Sequence, residues 1–424
     1  MIKIIQDKIT NRKEIFSVTE KKIDVSSVVK DIIENVKING DKALKEYTKK
    51  FDKADLNDLK VTEQEILDAV NSVEPEFIKI LKTSAENIRE FHQKQKRDGF
   101  EIKKQNGIIV GQKVIPVEVA GIYVPGGTAA YPSTVLMDAI PALVAGCKRV
   151  VMVTPPNSDG KINPVILASA YVAGVTEIYK VGGAQAIAGL AYGTETLPKT
   201  DKIVGPGNAY VAEAKRQVYG VVSIDMIAGP SEIMVIADNT NRPKDVAADL
   251  LSQAEHDKMA SAVLVTDDLD FANQVSKELE RQIPNLKRSE IARTSIDENG
   301  KIIVTENLDR AIEIANGIAP EHLEICVDNP FDYLDKIKHA GSVFLGKNCP
   351  EAIGDYYAGT NHTLPTSGTA RFSSPLSVDD FIKKTQYVYY DRQALQEVCR
   401  EVEYFACKEG LTAHAKSAVI RFED

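Results

Sequence analysis

Apolar positions change their period about a hundred residues into the chain. Val25, Val28, Val29, Ile32, Ile33 and Val36 recur at helical spacing, and Phe77 to Arg97 keeps a similar rhythm, so the first hundred residues predict helices. Gly99 to Lys113, broken at Asn106-Gly107, predicts a β-hairpin. Short apolar runs then alternate with helical stretches. The runs are Val117–Val124, Arg149–Val153, Glu177–Val181, Lys202–Val204, Glu232–Ile236, Ala262–Val265, Ile302–Val304, Glu324–Val327 and Ser342–Leu345. Helical patterns between them include Ser133–Gly146, Ala184–Tyr192, Ala209–Val218 and Lys244–Glu255. This alternation predicts an α/β fold with parallel sheets and helices on both faces. The runs divide near Gly229-Pro230, which favours two α/β units, although no internal repeat is strong enough to establish a duplication. After Leu345 comes a loop of about thirty residues, a length that favours a functional role. From Val378 the pattern is a polar helical tail.

Composition narrows the classes. At 424 residues the chain exceeds one small core. Its 43% hydrophobic and 27% charged residues suit a soluble globular protein. A net charge of −9 gives no broad attraction to nucleic acid or anionic lipid. The most apolar stretch, Val135 to Val153, is interrupted by Asp138, Pro141, Lys148 and Arg149 and is no membrane helix. The opening MIKIIQDK has no signal-peptide core. The 5 cysteines are scattered without a C-x-x-C, which argues against a disulfide framework or thiolate zinc site and fits a reducing cytosol.

Three glycine turns follow predicted strands: Val124-Pro125-Gly126-Gly127, Val181-Gly182-Gly183 and Val204-Gly205-Pro206-Gly207-Asn208. Such turns let backbone N–H groups approach a phosphate, yet none completes G-x-G-x-x-G, and each serves equally as a plain strand-to-helix turn. Asp225 follows Gly205 at a spacing suited to a ribose carboxylate, without the third glycine. Gln253 and His256 lie three apart at a predicted helix end and share a face, as two metal ligands or as a polar helix end. Glu321-His322 stands at the mouth of a predicted strand, placed for acid–base work or simply in a solvated turn. The long loop gathers Glu351, Asp355 and His362, and the tail adds Glu409 and His414. His92 and His339, in charged helical surroundings, read as surface residues.

Taken in order, AGIYVPGGTAAYPSTVLM, GGAQAIAGLAYGTE, GPGNAYVAEAKRQV, DMIAGPSE, LLSQAEHD, APEHLE, GDYYAGTNHTLPT and EGLTAHA resemble the histidinol dehydrogenase family. The resemblance spans most of the chain, with little in the first twenty residues. It implies two Rossmann-like α/β units with parallel sheets, a helical N-terminal segment and a C-terminal helical tail. The expected division is an N-terminal segment 1–20, a first α/β domain from 21–122 and 232–377 carrying the zinc and catalytic residues, a second at 123–231 on the NAD side, and a tail at 378–424. Residue by residue, it implies zinc bound by Gln253, His256, Asp355 and His414, a mixed nitrogen and oxygen set suited to that ion. Ser231, Gln253, His256, His322, Glu351, Asp355, His362, Glu409 and His414 are then expected around histidinol, with Tyr123, Gln185 and Asn208 at NAD. It gives Asp225 no role. Tyr357, Ala130-Tyr131 and Pro375 depart from the family pattern away from these residues.

The implied activity is the zinc-dependent, NAD-linked oxidation of L-histidinol to L-histidine through bound histidinal, in histidine biosynthesis. His322 would be the general base and Glu321 would activate water with it. The resemblance also implies a cytoplasmic homodimer whose tails complete each other's active sites. Two rivals are a relative acting on another primary alcohol and a zinc hydrolase. Retention of His362, Glu409 and His414 speaks against the first, and the glycine turns with Tyr123, Gln185 and Asn208 against the second.

Overall fold

The computed structural model describes residues 1–8, 12–16, 24–104, 106–126 and 130–423. It divides into a larger unit, Met1–Gln95 with Glu118–Phe381, and a smaller one, Lys96–Val117 with Ile382–Asp424. The larger unit opens with β1 (Lys3–Gln6), α1 (Arg12–Ile15), α2 (Ser26–Phe51), α3 (Glu63–Ser72) and α4 (Pro75–Gln93). Here the expected all-helical start is corrected: KIIQ is a strand, paired in parallel with residues 301–304. Residues 9–11 and 17–20 of the expected N-terminal segment lie outside the described residues. The smaller unit then contributes the expected hairpin, β2 (Phe100–Lys103) and β3 (Ile108–Pro116).

A first alternation follows: β4 (Val119–Tyr123), α5 (Pro132–Ala145), β5 (Arg149–Thr154), α6 (Pro164–Ala173), β6 (Glu177–Lys180), α7 (Gly183–Tyr192), β7 (Lys202–Val204), α8 (Ala209–Val218) and β8 (Ser223–Ile224). Its strands form a parallel five-stranded sheet in the order β6-β5-β4-β7-β8. The second alternation runs β9 (Glu232–Ala237), α9 (Pro243–Ala254), β10 (Ser261–Thr266), α10 (Leu269–Gln282), α11 (Ser289–Asn299), β11 (Lys301–Val304), α12 (Leu308–Ile318), β12 (His322–Cys326), α13 (Phe331–Leu334), β13 (Ser342–Leu345) and α14 (Glu351–Tyr356). Its sheet is also parallel, in the order β1-β11-β10-β9-β12-β13. Apart from β1, the two sheets are wound alike: three strands step outward one way, and the chain then returns to place two on the other side.

Burial on both faces explains why these strands are apolar runs and not alternating ones. Along β9, Ile233, Val235 and Ala237 enter one core, while Met234 and Ile236 enter another across the sheet. The five-stranded sheet shares its core with α2 through Val29, Ile32, Ile33, Val36 and Leu44. This corrects the division at 122/123. β4 hydrogen-bonds within the five-stranded sheet, and α2, α3 and α4 pack on α5 to α8, so 26–93 and 119–123 belong with that sheet.

The tail is corrected too. It begins with β14 (Ile382–Tyr390), nine residues paired antiparallel to β3, before α15 (Arg392–Lys408) and α16 (Thr412–Val419). The hairpin therefore joins the tail in one unit. The region after Leu345 is not continuous loop, since α14 interrupts it. His92 is fully buried, not on the surface: it continues the buried stripe Leu81, Ala85 and Ile88 of α4, and its Nδ1 pairs with the Ile88 carbonyl at 2.8 Å. All five cysteines are free. Among the described residues no helix is long and apolar enough to cross a membrane.

Candidate active site

β9 and β12 are neighbours at the middle of the six-stranded sheet, with His322 in register with Ile233. His322 opens β12 and Glu321 precedes it, both buried. The His322 Nδ1 lies 2.9 Å from the Glu232 carbonyl. A carbonyl only accepts, so the proton sits on Nδ1 and Nε2 is the basic nitrogen of the neutral ring. Nε2 is buried without a hydrogen-bond partner, 3.5 Å from Asp355 Oδ1. The Glu321 carboxylate accepts from the Glu232 N–H at 2.8 Å and stands 3.7 Å from His322 Nδ1. Phe344 of β13 stacks beside the imidazole, ring centres 6.1 Å apart.

Two helices bring further groups. Gln253 is buried in the last turn of α9, and His256 sits half-buried just beyond it. Glu351 and Asp355, one turn apart on α14, share a face. Gln253 Nε2 donates to Glu351, while Gln253 Oε1 is buried with no partner. One ligating atom each from His322, Glu351 and Asp355 lies within 4.8 Å of the others. His362 Nε2 lies 3.1 Å from Ser133 Oγ on α5. Ser231 immediately precedes β9 and is half-buried.

Charge is concentrated at this edge. Burial opposes protonation of His322, but Glu321, Asp355 and Glu351 outweigh it and push the imidazole up to about 10. Burial pushes Glu321 up to about 8 against the pull of His322, and Glu232 up to about 7. Asp355 would rise by burial, yet His322 holds it below its ordinary value. Burial also lowers His256 and His362, both of which feel Asp355 and His322.

The loop after α14 is fastened to α4 and α5. Ser84 and Asn87 donate to the carbonyls of Tyr356 and Tyr357, each at 2.7 Å. Asn361 Nδ2 donates to the Met137 carbonyl at 2.7 Å, and Thr363 Oγ1 to Asp138 at 3.0 Å. Back at β9, the Ser367 N–H donates to Glu232 Oε1 at 3.1 Å. Glu232 thus ties together His322, Glu321 and this loop, and the sequence reading missed it. Its one signal was position, directly after Ser231 at the opening of a strand.

The other expected residues lie at the five-stranded sheet. Tyr123 ends β4, Gln185 is buried in the first turn of α7, and Asn208 caps α8. The Tyr123 hydroxyl accepts from the Gly183 N–H at 3.1 Å, and burial pushes it up to about 12. Asn208 Oδ1 accepts from the Tyr210 and Val211 N–H groups at 3.0 and 3.2 Å. Between them Gly205 has φ +116, and a Cβ there would sit 2.1 Å from the Tyr123 carbonyl oxygen, so only glycine fits. Its N–H donates to Asp225 at 2.8 Å and its carbonyl accepts from Lys215 at 3.0 Å. Lys215 and Asp225 form a buried ion pair. Asp225 is therefore committed inside the turn and does not present a ribose carboxylate. Gly127 of the first glycine turn lies outside the described residues. Glu409 and His414, on the smaller unit, are exposed.

Comparison with known proteins agrees over the whole length. The family model described as histidinol dehydrogenase matches residues 17–422. A histidinol dehydrogenase of Clostridium acetobutylicum is 56% identical, covering 100% of this chain and 99% of its own. One from Geobacillus kaustophilus is 52% identical, covering 100% and 99%. The crystal structure of histidinol dehydrogenase from Elizabethkingia anophelis superposes with a TM-score of 0.93 at 42% identity, covering 100% of this chain and 98% of that one. The chain belongs to the histidinol dehydrogenase family of oxidoreductases.

Proposed function

We propose that this protein oxidises L-histidinol to L-histidine with zinc and NAD, two oxidations at one site through bound histidinal, as a step of histidine biosynthesis. The observation that carries the metal is Gln253 Oε1, buried without a partner in the group that includes Glu351, Asp355 and His322. Leaving a buried amide oxygen unpaired costs about 1–3 kcal/mol unless something binds it. Gln253, His256 and Asp355, completed by His414, offer the nitrogen and oxygen donors that zinc accepts. When bound, zinc anchors the imidazole and amine of the substrate and NAD takes up a hydride in each oxidation.

The chain's own groups supply the proton chemistry. His322 takes the hydroxyl proton at Nε2, because Nδ1 is committed to Glu232. The carboxylates that raise this imidazole are those a divalent ion would use, so proton and ion compete for one negative field. Glu321, held by the Glu232 N–H and raised to about 8, exchanges a proton near neutrality and activates the water that adds to the aldehyde. Ser231, Glu351 and His362 surround the substrate, with Glu409 and His414 contributed by the tail of the partner in a homodimer. Tyr123, Gln185 and Asn208 serve NAD. The test is stoichiometry: zinc-loaded protein with histidinol should release two NADH per histidinol and accumulate histidine, and a chelator should stop it reversibly. One NADH with free aldehyde would overturn the single-site account; full activity in metal-stripped protein would overturn the metal's role.

A further inference from the structure

β12 carries a second buried acid. Glu324 stands two residues beyond His322, on the same face of the strand, and is 0% exposed. Its Oε1 accepts from the Glu351 N–H at 2.7 Å, where α14 begins. Its Oε2 lies 3.7 Å from the Cys326 thiol, and its carboxyl group hydrogen-bonds that of Asp249 on α9. Asp249 is half-buried one turn before Gln253. The two acids thus touch α9, β12 and α14, the three elements that carry Gln253, His322, and Glu351 with Asp355. Among the described residues neither acid forms a salt bridge. Two carboxyl groups in contact with no cation cannot both ionise, so one proton is shared between them. Burial raises both, Asp249 to about 6; the charge of Asp249 raises Glu324 further, while the hydrogen bond from Glu324 pulls Asp249 back down. Asp249, Glu324 and Cys326 are also close enough to hold an ion, but burial keeps the Cys326 thiol protonated and Glu324 is spent on Glu351.

We infer that Glu324 and Asp249 form a proton-sharing pair that positions α14 against α9 and β12 and so sets the spacing of the proposed zinc site. Neither touches substrate; both are positioning residues. The inference rests on the reading of those three elements as the carriers of the metal and catalytic groups.

Glu324→Gln keeps an acceptor for the Glu351 N–H and offers Asp249 an amide proton in place of the shared one. It should keep zinc affinity and kcat within about threefold of wild type. Glu324→Leu removes the acceptor and should weaken zinc binding by about 10–100-fold, the usual effect of losing support behind a metal ligand, with KM for NAD unchanged. Zinc affinity is read by competition with a chromophoric chelator on protein shown to be folded, with His256→Ala as the reference that loses the metal. If Glu324→Leu folds and binds zinc like wild type while His256→Ala does not, the pair has no positioning role. Equal loss in Gln and Leu variants overturns the shared proton. Zinc retained by His256→Ala overturns the site reading, and this inference with it. Should Glu324→Leu fail to fold, Asp249→Ala against Asp249→Asn makes the same comparison from α9: weakened zinc in Ala alone supports the pair, and equal affinity overturns it.

Discussion

Apart from β1, the two parallel sheets share one winding, and the residues proposed for function gather at opposite edges of them. In the five-stranded sheet the glycine turns follow β4, β6 and β7, at the carboxyl ends, and two of them flank the β4/β7 point where strand order reverses. That is where open α/β sheets ordinarily bind ligands. In the six-stranded sheet the order reverses between β9 and β12, yet Glu321, His322, Ser231 and Glu232 cluster at the amino ends of those strands. The difference lies in what each edge has to offer. Carboxyl-edge turns present backbone N–H groups, which suit phosphate, and their side chains hold the backbone in place: Tyr123 holds Gly183, Asn208 caps α8, and Lys215 with Asp225 clasps Gly205. Holding a metal or moving a proton, as proposed for the amino edge, needs side chains, and the last turn of α9 brings Gln253 there. There Gln253 Oε1 and His322 Nε2 are kept buried and unpaired.

If that contrast is right, substitutions at the amino edge change chemistry and those at the carboxyl edge change stability. The largest effect is expected for His322→Asn, with kcat lower by about 10²–10⁴ and zinc retained. Loss of zinc in that variant would move His322 from base to ligand. Mixed with a His414→Ala protein after co-expression, it should regain about a quarter of wild-type activity, because random pairing makes half the dimers mixed with one intact site each. No recovery in proven mixed dimers would place the tail on its own subunit. A smaller effect is expected for Tyr123→Phe, which leaves the Gly183 N–H unpaired: about 1 kcal/mol of stability, seen as a lower denaturant midpoint, with a raised KM for NAD. Unchanged stability would break the comparison from the carboxyl side. The smallest effect on stability is expected for Gln253→Met, which removes an unpaired oxygen along with a bond to Glu351. Metal-free protein should keep its stability within about 1 kcal/mol while zinc affinity collapses. A strongly destabilised metal-free variant would show the amino edge to be structural after all.

Legibility in the sequence followed burial. Strands covered on both faces, such as β9 and β10, stood out as apolar runs. β14 is mostly exposed along its nine residues, so it carries no alternation to read, and β1 is four residues long with its partner far along the chain. For His92 the two signals conflict: it extends the stripe Leu81, Ala85, Ile88 at helical spacing, while the charged residues around it point to the surface, and the stripe prevails. Glu321, His322, Gln253 and Asp355 stand in motifs legible in the sequence, yet only the fold shows which of their atoms are paired and which are not. Glu232 and Glu324 are hidden for a physical reason: Glu232 holds the side chains of Glu321 and His322 with its own backbone, and Glu324 holds the backbone of α14, relations no local pattern encodes.

The pairing of β1 with β11 also has a consequence for how the chain matures. Strands β4 to β8 come from one continuous stretch, so their sheet can form as soon as that stretch has been synthesised. β1 leaves the ribosome roughly 300 residues before its partner, which at about 5–20 residues per second is a wait of roughly 15–60 s. During that interval Ile2, Ile4 and Ile5 have no sheet to enter, and the edge of β11 has yet to exist. The six-stranded sheet is therefore the later of the two to be completed, and its β11 edge takes up a strand synthesised long before it.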